Sequence, residues 1–240
     1  LVGSEMCIRD RFKALFKNDQ AMTVVVSIIL VYTSLNICGN LVLYFFRFDV
    51  GNEGAYSIFA AVAFAAQVLV MMVIPLLRKR FSKSQLFISG FIIQIAGFAV
   101  ILIMAFAKLY TPQSWYILCL PGILIYLGYG MLNVIMTIFL SDSVDYGEVM
   151  NGTREESVIF SMQTFTVKLA SGVAVFLAGL VVDWIHLDTA AAVQTQDTLD
   201  ALRMWMTIPS VILLIVGIFV FKRFYKLDDT RMEEIKSKLN

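Results

Sequence analysis

In a chain of 240 residues, 59% are hydrophobic and only 15% charged, against about 45–50% and about 25% for a soluble domain. Asp and Glu are missing altogether between Gly54 and Ser141. That excludes a water-solvated surface and identifies an integral membrane protein, while a formal net charge of +1 without a basic stripe excludes nucleic acid as a partner.

Residues 1–11, reading LVGSEMCIRDR, do not blend into the chain after them. They read as a non-native leader of the kind a sequencing or processing artefact leaves, which implies that the protein continues upstream. No apolar core or small-residue cleavage site marks a secretory signal there. A membrane helix needs about 20 apolar residues to cross about 30 Å of hydrocarbon. Within residues 12–226 six segments qualify, at about 22–46, 55–77, 86–107, 115–140, 157–182 and 204–221. The predicted fold is therefore an all-α integral membrane bundle of six transmembrane helices. Pro75, Pro121 and Pro209 fall within or near span ends, where neighbouring helices satisfy the freed carbonyls. Residues 227–240 predict a short amphipathic helix capped by Asp228 or Asp229, with Met232, Ile235 and Leu239 on one side, lying as a solvated tail on the bundle or membrane surface.

Basic residues set the orientation. Arg78, Lys79, Arg80 and Lys83 follow the second span, and Lys222, Arg223, Lys226, Arg231, Lys236 and Lys238 follow the last. The alternate connections carry only Arg47, Lys108 and Arg203. Both termini are thus expected in the cytoplasm, in a multi-pass protein of the cell (inner) membrane. The Asn151–Thr153 sequon would then face the wrong compartment for glycosylation. Cys7, Cys38 and Cys119 are scattered, apolar in context and odd in number, and read as small core residues with no metal site among them. His186, near a span end, reads as solvated or interfacial.

Chemistry concentrates in the fifth span. Ser157, Ser161, Thr164, Lys168 and Ser171 recur at spacings of 4 and 3 and share one helical face, with Gln163 beside them. A lysine at mid-membrane costs about 2.5–3.5 kcal/mol, so this stripe must face the bundle interior or a wet cavity. The serines alone would read as helix-packing residues. The fourth span repeats the pattern with Tyr126, Gly130, Asn133, Thr137 and Ser141, and the first with Tyr32, Asn36, Asn40 and Tyr44. Asn133 suits a hydroxyl-rich ligand or packing against another helix, and Asn36 and Tyr126 are candidates for the same cavity wall. Gln67 and Gln94 read as interhelical hydrogen bonds. No carboxylate lies at membrane depth to pair with Lys168, so this chain alone cannot build a cation-coupling site. Between the fourth and fifth spans, Asp142, Asp145, Glu148, Arg154, Glu155 and Glu156 cluster about a turn containing Gly147 and Gly152. A network of this kind biases a two-state cycle when it forms in only one state.

The run Asp142-Ser-Val-Asp145-Tyr146-Gly147-Glu148, then Arg154, Glu156 and Ser157, then Ser161, Gln163, Thr164 and Lys168, resembles the melibiose permease-like branch of the glycoside–pentoside–hexuronide:cation symporters. The end of the last span, Phe224-Tyr225-Lys226-Leu227, resembles that family too. The resemblance implies the C-terminal half of a twelve-helix major facilitator fold, carrying a sugar with Na⁺ or H⁺ by alternating access. It implies transport and substrate roles for Lys168, Gln163, Thr164 and Asn133, and a cytoplasmic gate network of Asp142, Asp145, Tyr146, Glu148, Arg154 and Glu156. Its cation-site carboxylates would lie on an N-terminal six-helix half, the expected partner along with the sugar and the bilayer; this half would bind no cofactor. The alternatives are a transporter for lipid-like or drug-like cargo, a non-transporting scaffold, and a membrane enzyme using Asp142, Asp145 and Glu148 as metal ligands.

Overall fold

The computed structural model describes residues 18–152, 154, 156–191 and 193–239, and every regular element among them is a helix. The leader expected at residues 1–11 lies outside the described residues, as do Thr153 of the sequon and Glu155 of the charge cluster. Helix α1 covers Asp19–Tyr44 and continues as a π-helical turn, Phe45–Val50. It is followed by α2 (Ala55–Leu77), α3 (Lys83–Phe106), a 3₁₀ turn (Trp115–Leu118) leading into α4 (Cys119–Asn151), α5 (Glu156–Trp184), α6 (Gln196–Phe224) and α7 (Asp229–Leu239). The first six are long and apolar enough to cross a membrane, and all six predicted spans fall on them.

Local chemistry explains the boundaries. The Asn18 side chain accepts from the Ala21 amide at 2.9 Å and caps α1; its own amide donates to the Ser143 carbonyl at 2.8 Å, tying the start of α1 to α4. Ser82 and Gln85 form a reciprocal capping box at α3. Two boundaries differ from expectation. The acidic stretch after the fourth span is not a loop, because no residue breaks α4 before Gly152, whose φ of 71° supplies the left-handed cap. Gly147, expected in the turn, sits inside the helix, where a Cβ would come 2.8 Å from Asn18 Nδ2. Likewise α6 starts at Gln196, well before the apolar run, since the Thr195 side chain caps it.

Helix α4 packs on α3 and α2, α1 packs on α6 and α5, and α3 closes the bundle against α6. Contact between α3 and α4 is close because both carry glycine there. A Cβ on Gly128 would lie 2.5 Å from the Gly90 carbonyl oxygen and 2.6 Å from the Gln94 nitrogen. This overturns the expected hydrogen bond of Gln94: its amide is fully buried and neither polar atom has a partner among the described residues, because the residue it meets is a glycine. Gln67 packs its backbone and side-chain methylenes against Gly130. At the end of α6, Phe221 stacks on Phe139 and on the half-buried Tyr225, and Phe87 stands edge-on to Phe139.

The tail is docked. Asp228 accepts from the Arg231 amide at 2.8 Å, the predicted cap. Met232 and Ile235 are buried with Leu227 against Tyr146 and Tyr225, so α7 lies on the end of α4.

Candidate functional site

Helix α5 has three faces. Ile159, Thr166, Ala170, Ala174, Ala178 and Val181 are buried, and small alanines let α5 lie close on α1. Phe165, Leu169, Phe176 and Leu180 form an exposed apolar stripe fit for lipid. Between them, at about 100° per residue, run Ser157, Ser161, Thr164 and Lys168, all exposed, with Ser171 half-buried. The Thr164 hydroxyl turns back to the Phe160 carbonyl at 3.2 Å. Lys168 and the half-buried Gln163 make no side-chain hydrogen bond or ion pair among the described residues. A lysine left so in a span cannot face lipid without the cost of placing an ammonium in hydrocarbon.

The candidates on α1 and α4 meet. Asn133 Nδ2 donates to the Tyr32 hydroxyl at 2.6 Å, and the Tyr32 ring stands edge-on to Tyr129, which in turn packs against Tyr126. Thr137, one turn on from Asn133, bonds back to its carbonyl at 3.1 Å. Asn36 donates to the Tyr32 carbonyl at 2.7 Å, so its amide folds onto its own helix and leaves its oxygen available. Tyr32, Asn36, Tyr126 and Asn133 are all only partly buried. The structure gives no hydrogen bond between this group and Lys168, Gln163 or Thr164.

The charged residues between the fourth and fifth spans divide into two groups. Arg154 donates to Asp145 at 3.0 Å, to Glu148 at 2.9 Å and to Glu156 at 3.1 Å. Its side chain is 47% exposed, so water screens these pairs. Asp142 does not join them. It is buried, and its carboxylate takes the ammonium of Lys83, itself buried. Lys83 also reaches Asp229 on the tail helix, as does Arg78, each at 3.4 Å. Burial pushes the Asp229 carboxyl up, but Lys83 and Arg78 together outweigh it and hold the group below the usual carboxylate range. Asp145 and Glu148 turn toward Arg154, while Asp142, one turn earlier on α4, faces Lys83 at the start of α3. Tyr146 packs against the tail cluster.

At the other end of the bundle lies a group that residue spacing alone does not single out. Arg203 donates through Nε to Asp49 at 2.7 Å, through Nη2 to the same carboxylate at 2.5 Å, and through Nη1 to Asp200 at 2.6 Å. The Arg203 and Asp49 side chains are 3% and 5% exposed. Tyr110 donates to Asp49 at 2.8 Å, and burial, reinforced by the Asp49 charge, pushes its phenol well above the ordinary value, keeping it a donor. Arg203, expected in a connection between spans, is helical. The available signal is its flank of Leu199 and Met206, four before and three after, which puts it on a buried helical face.

Six helices long and apolar enough to cross a membrane, one of them presenting a lysine on an exposed polar face, define a polytopic membrane protein. The chain belongs to the MFS/sugar transport protein family, whose profile matches residues 3–229. It is similar to an uncharacterized symporter of Bacillus subtilis (strain 168), at 25% identity over 95% of this chain and 48% of that protein. It is also similar to the raffinose carrier protein of Pediococcus pentosaceus, at 23% identity over 97% of this chain and 35% of the carrier. The isoprimeverose transporter of Lactiplantibacillus pentosus is 25% identical over 92% of this chain and 44% of its own length. The chain thus spans half or less of these relatives.

Proposed function

We propose that this chain is the C-terminal six-helix half of a secondary active transporter that carries a sugar or glycoside together with Na⁺ or H⁺. The observation that carries the reading is the exposed polar stripe of α5 with Lys168, unpaired among the described residues. Such a stripe needs a second wall, and an N-terminal half supplying carboxylates would complete both the cavity and the ion site. The half-buried hydroxyl, amide and aromatic groups of Tyr32, Asn36, Tyr126 and Asn133 suit sugar hydroxyls and ring faces, and favour sugar over lipid-like cargo. Gln163, Thr164 and Lys168 would contribute from α5. The two halves would rock about this midplane site in alternating access. Both termini would be cytoplasmic, and the exposed Arg154 pairs with Asp145, Glu148 and Glu156 would form or break with the transport state.

The test is uptake of radiolabelled sugars by vesicles bearing the full-length protein under an imposed Na⁺ or proton gradient. Lys168→Ala is expected to abolish gradient-driven uptake with expression and helicity intact. Asn133→Ala is expected to weaken apparent sugar affinity roughly 3–10-fold, the scale of one hydrogen bond of about 0.5–1.5 kcal/mol. Gradient-driven uptake at wild-type level in Lys168→Ala would sink the assignment of the stripe.

A further inference from the structure

The second half of helix α2 carries an exposed apolar track. Leu69, Met72, Val73 and Leu76 are exposed by 62%, 70%, 43% and 63%, and their spacing of 3, 1 and 3 places them on one face. Lys79 and Arg80 follow in the turn just past the end of α2, three and four residues beyond Leu76. The 23 residues of α2 rise about 35 Å at 1.5 Å each, enough to cross about 30 Å of hydrocarbon. Lys79 and Arg80, just beyond the end of this helix, therefore fall at the level of the lipid headgroups.

A concave site of about 470 Å³ opens there, lined by Arg78, Lys79, Arg80, Phe81, Ser82 and Lys83 on one side and by Asp229, Met232 and Glu233 of the tail on the other. Its four cations face two carboxylates. Asp229 is already shared between Arg78 and Lys83, whereas Lys79 and Arg80 are not fully buried and make no side-chain bond among the described residues. Phe81, 44% exposed, adds an aromatic ring at the boundary. We propose that this is a binding site for the phosphate-bearing headgroup of an anionic phospholipid, with an acyl chain along Leu69, Met72, Val73 and Leu76. Lys79 and Arg80 take the phosphate oxygens, and the docked α7 forms the far wall. The site is independent of which solute is carried.

The test is native mass spectrometry of the purified full-length protein with phosphatidylglycerol, phosphatidylcholine or inorganic phosphate as the added probe. Phosphatidylglycerol is expected to remain bound in preference to phosphatidylcholine. The pair Lys79→Gln and Arg80→Gln is expected to lower that retention about tenfold or more, the scale of two interfacial bases. The pair Lys222→Gln and Arg223→Gln, which removes the same charge from the end of α6, is expected to leave it unchanged. Should the first pair impair folding, Lys79→Arg with Arg80→Lys keeps the charge and must retain the lipid, while Met72→Asn with Leu76→Asn keeps the bases and must lose it. Equal loss in both glutamine pairs would reduce the effect to general surface charge and overturn the site. Binding of inorganic phosphate as tight as that of the lipid would overturn the lipid as occupant.

Discussion

Replacing Arg203 by Met tests whether the buried pair at the end opposite the tail holds three segments together. Arg203 lies at the start of α6, Asp49 at the π-helical end of α1, and Tyr110 in the connection between α3 and α4. In Arg203→Met the Asp49 carboxylate, 5% exposed, keeps only the Tyr110 hydroxyl at 2.8 Å. Breaking a buried ion pair from one side costs about 3–5 kcal/mol, because an uncompensated charge remains. At about 2–4 °C per kcal/mol for a chain of this size, the unfolding temperature should fall by roughly 6–20 °C. Asp49→Asn strands the guanidinium less completely, since Asp200 still accepts from it at 2.6 Å, and should cost less. The double change Arg203→Met with Asp49→Leu removes both charges and should recover much of the loss, as apolar replacements of buried pairs often do. Thermal unfolding of the detergent-purified full-length protein, followed by loss of the monodisperse chromatographic peak, measures all three. A fall under about 2 °C in Arg203→Met, or a double variant as damaged as the sum of the single ones, would refute the reasoning, since contacting partners must be non-additive.

Two other sites give expected outcomes of their own. Gly128→Leu should destabilise by about 1–3 kcal/mol through overpacking, because even a Cβ there meets backbone of α3 at 2.5 Å; unfolding measured alongside Gly172→Leu, whose Cβ meets nothing within 4 Å, checks it, and equal effects at both positions would contradict it. The Asp229 carboxyl is held below its ordinary 3.8, so its contribution to tail docking is complete above that value and is lost as pH falls below it. A spin label at Ser237→Cys should therefore gain mobility only below about pH 4, and should already be mobile at neutral pH in Asp229→Asn; mobility rising between pH 7 and 5 would rule out this carboxylate as the anchor.

Much of the candidate site is legible from residue spacing. Lys168 and its serines recur at helical intervals within an apolar run, and a polar stripe in a membrane span is visible without coordinates. The Asp142 grouping is misleading because neighbours in sequence are not neighbours in space here. Asp142 shares its stretch of α4 with Asp145 and Glu148, three and six residues on, yet its partner is Lys83, distant in the chain, which the packing of α3 on α4 brings opposite it. Gln94 misleads for a related reason: a polar residue in a span implies a partner, yet the facing residue is Gly128.

Length, hydropathy and the spacing of polar residues are local properties, and they alone determined the membrane setting, the six spans, the polar face of α5 and the capped tail helix. Pairings between distant segments depend on which helices lie side by side and on how they are rotated, and neither follows from one chain's local pattern. Tertiary structure therefore decided that Arg203 meets Asp49, that Asp142 meets Lys83, that Asn133 meets Tyr32, and that the tail docks on α4. A buried charge is tolerated only where the packed fold brings its counter-charge within hydrogen-bond reach.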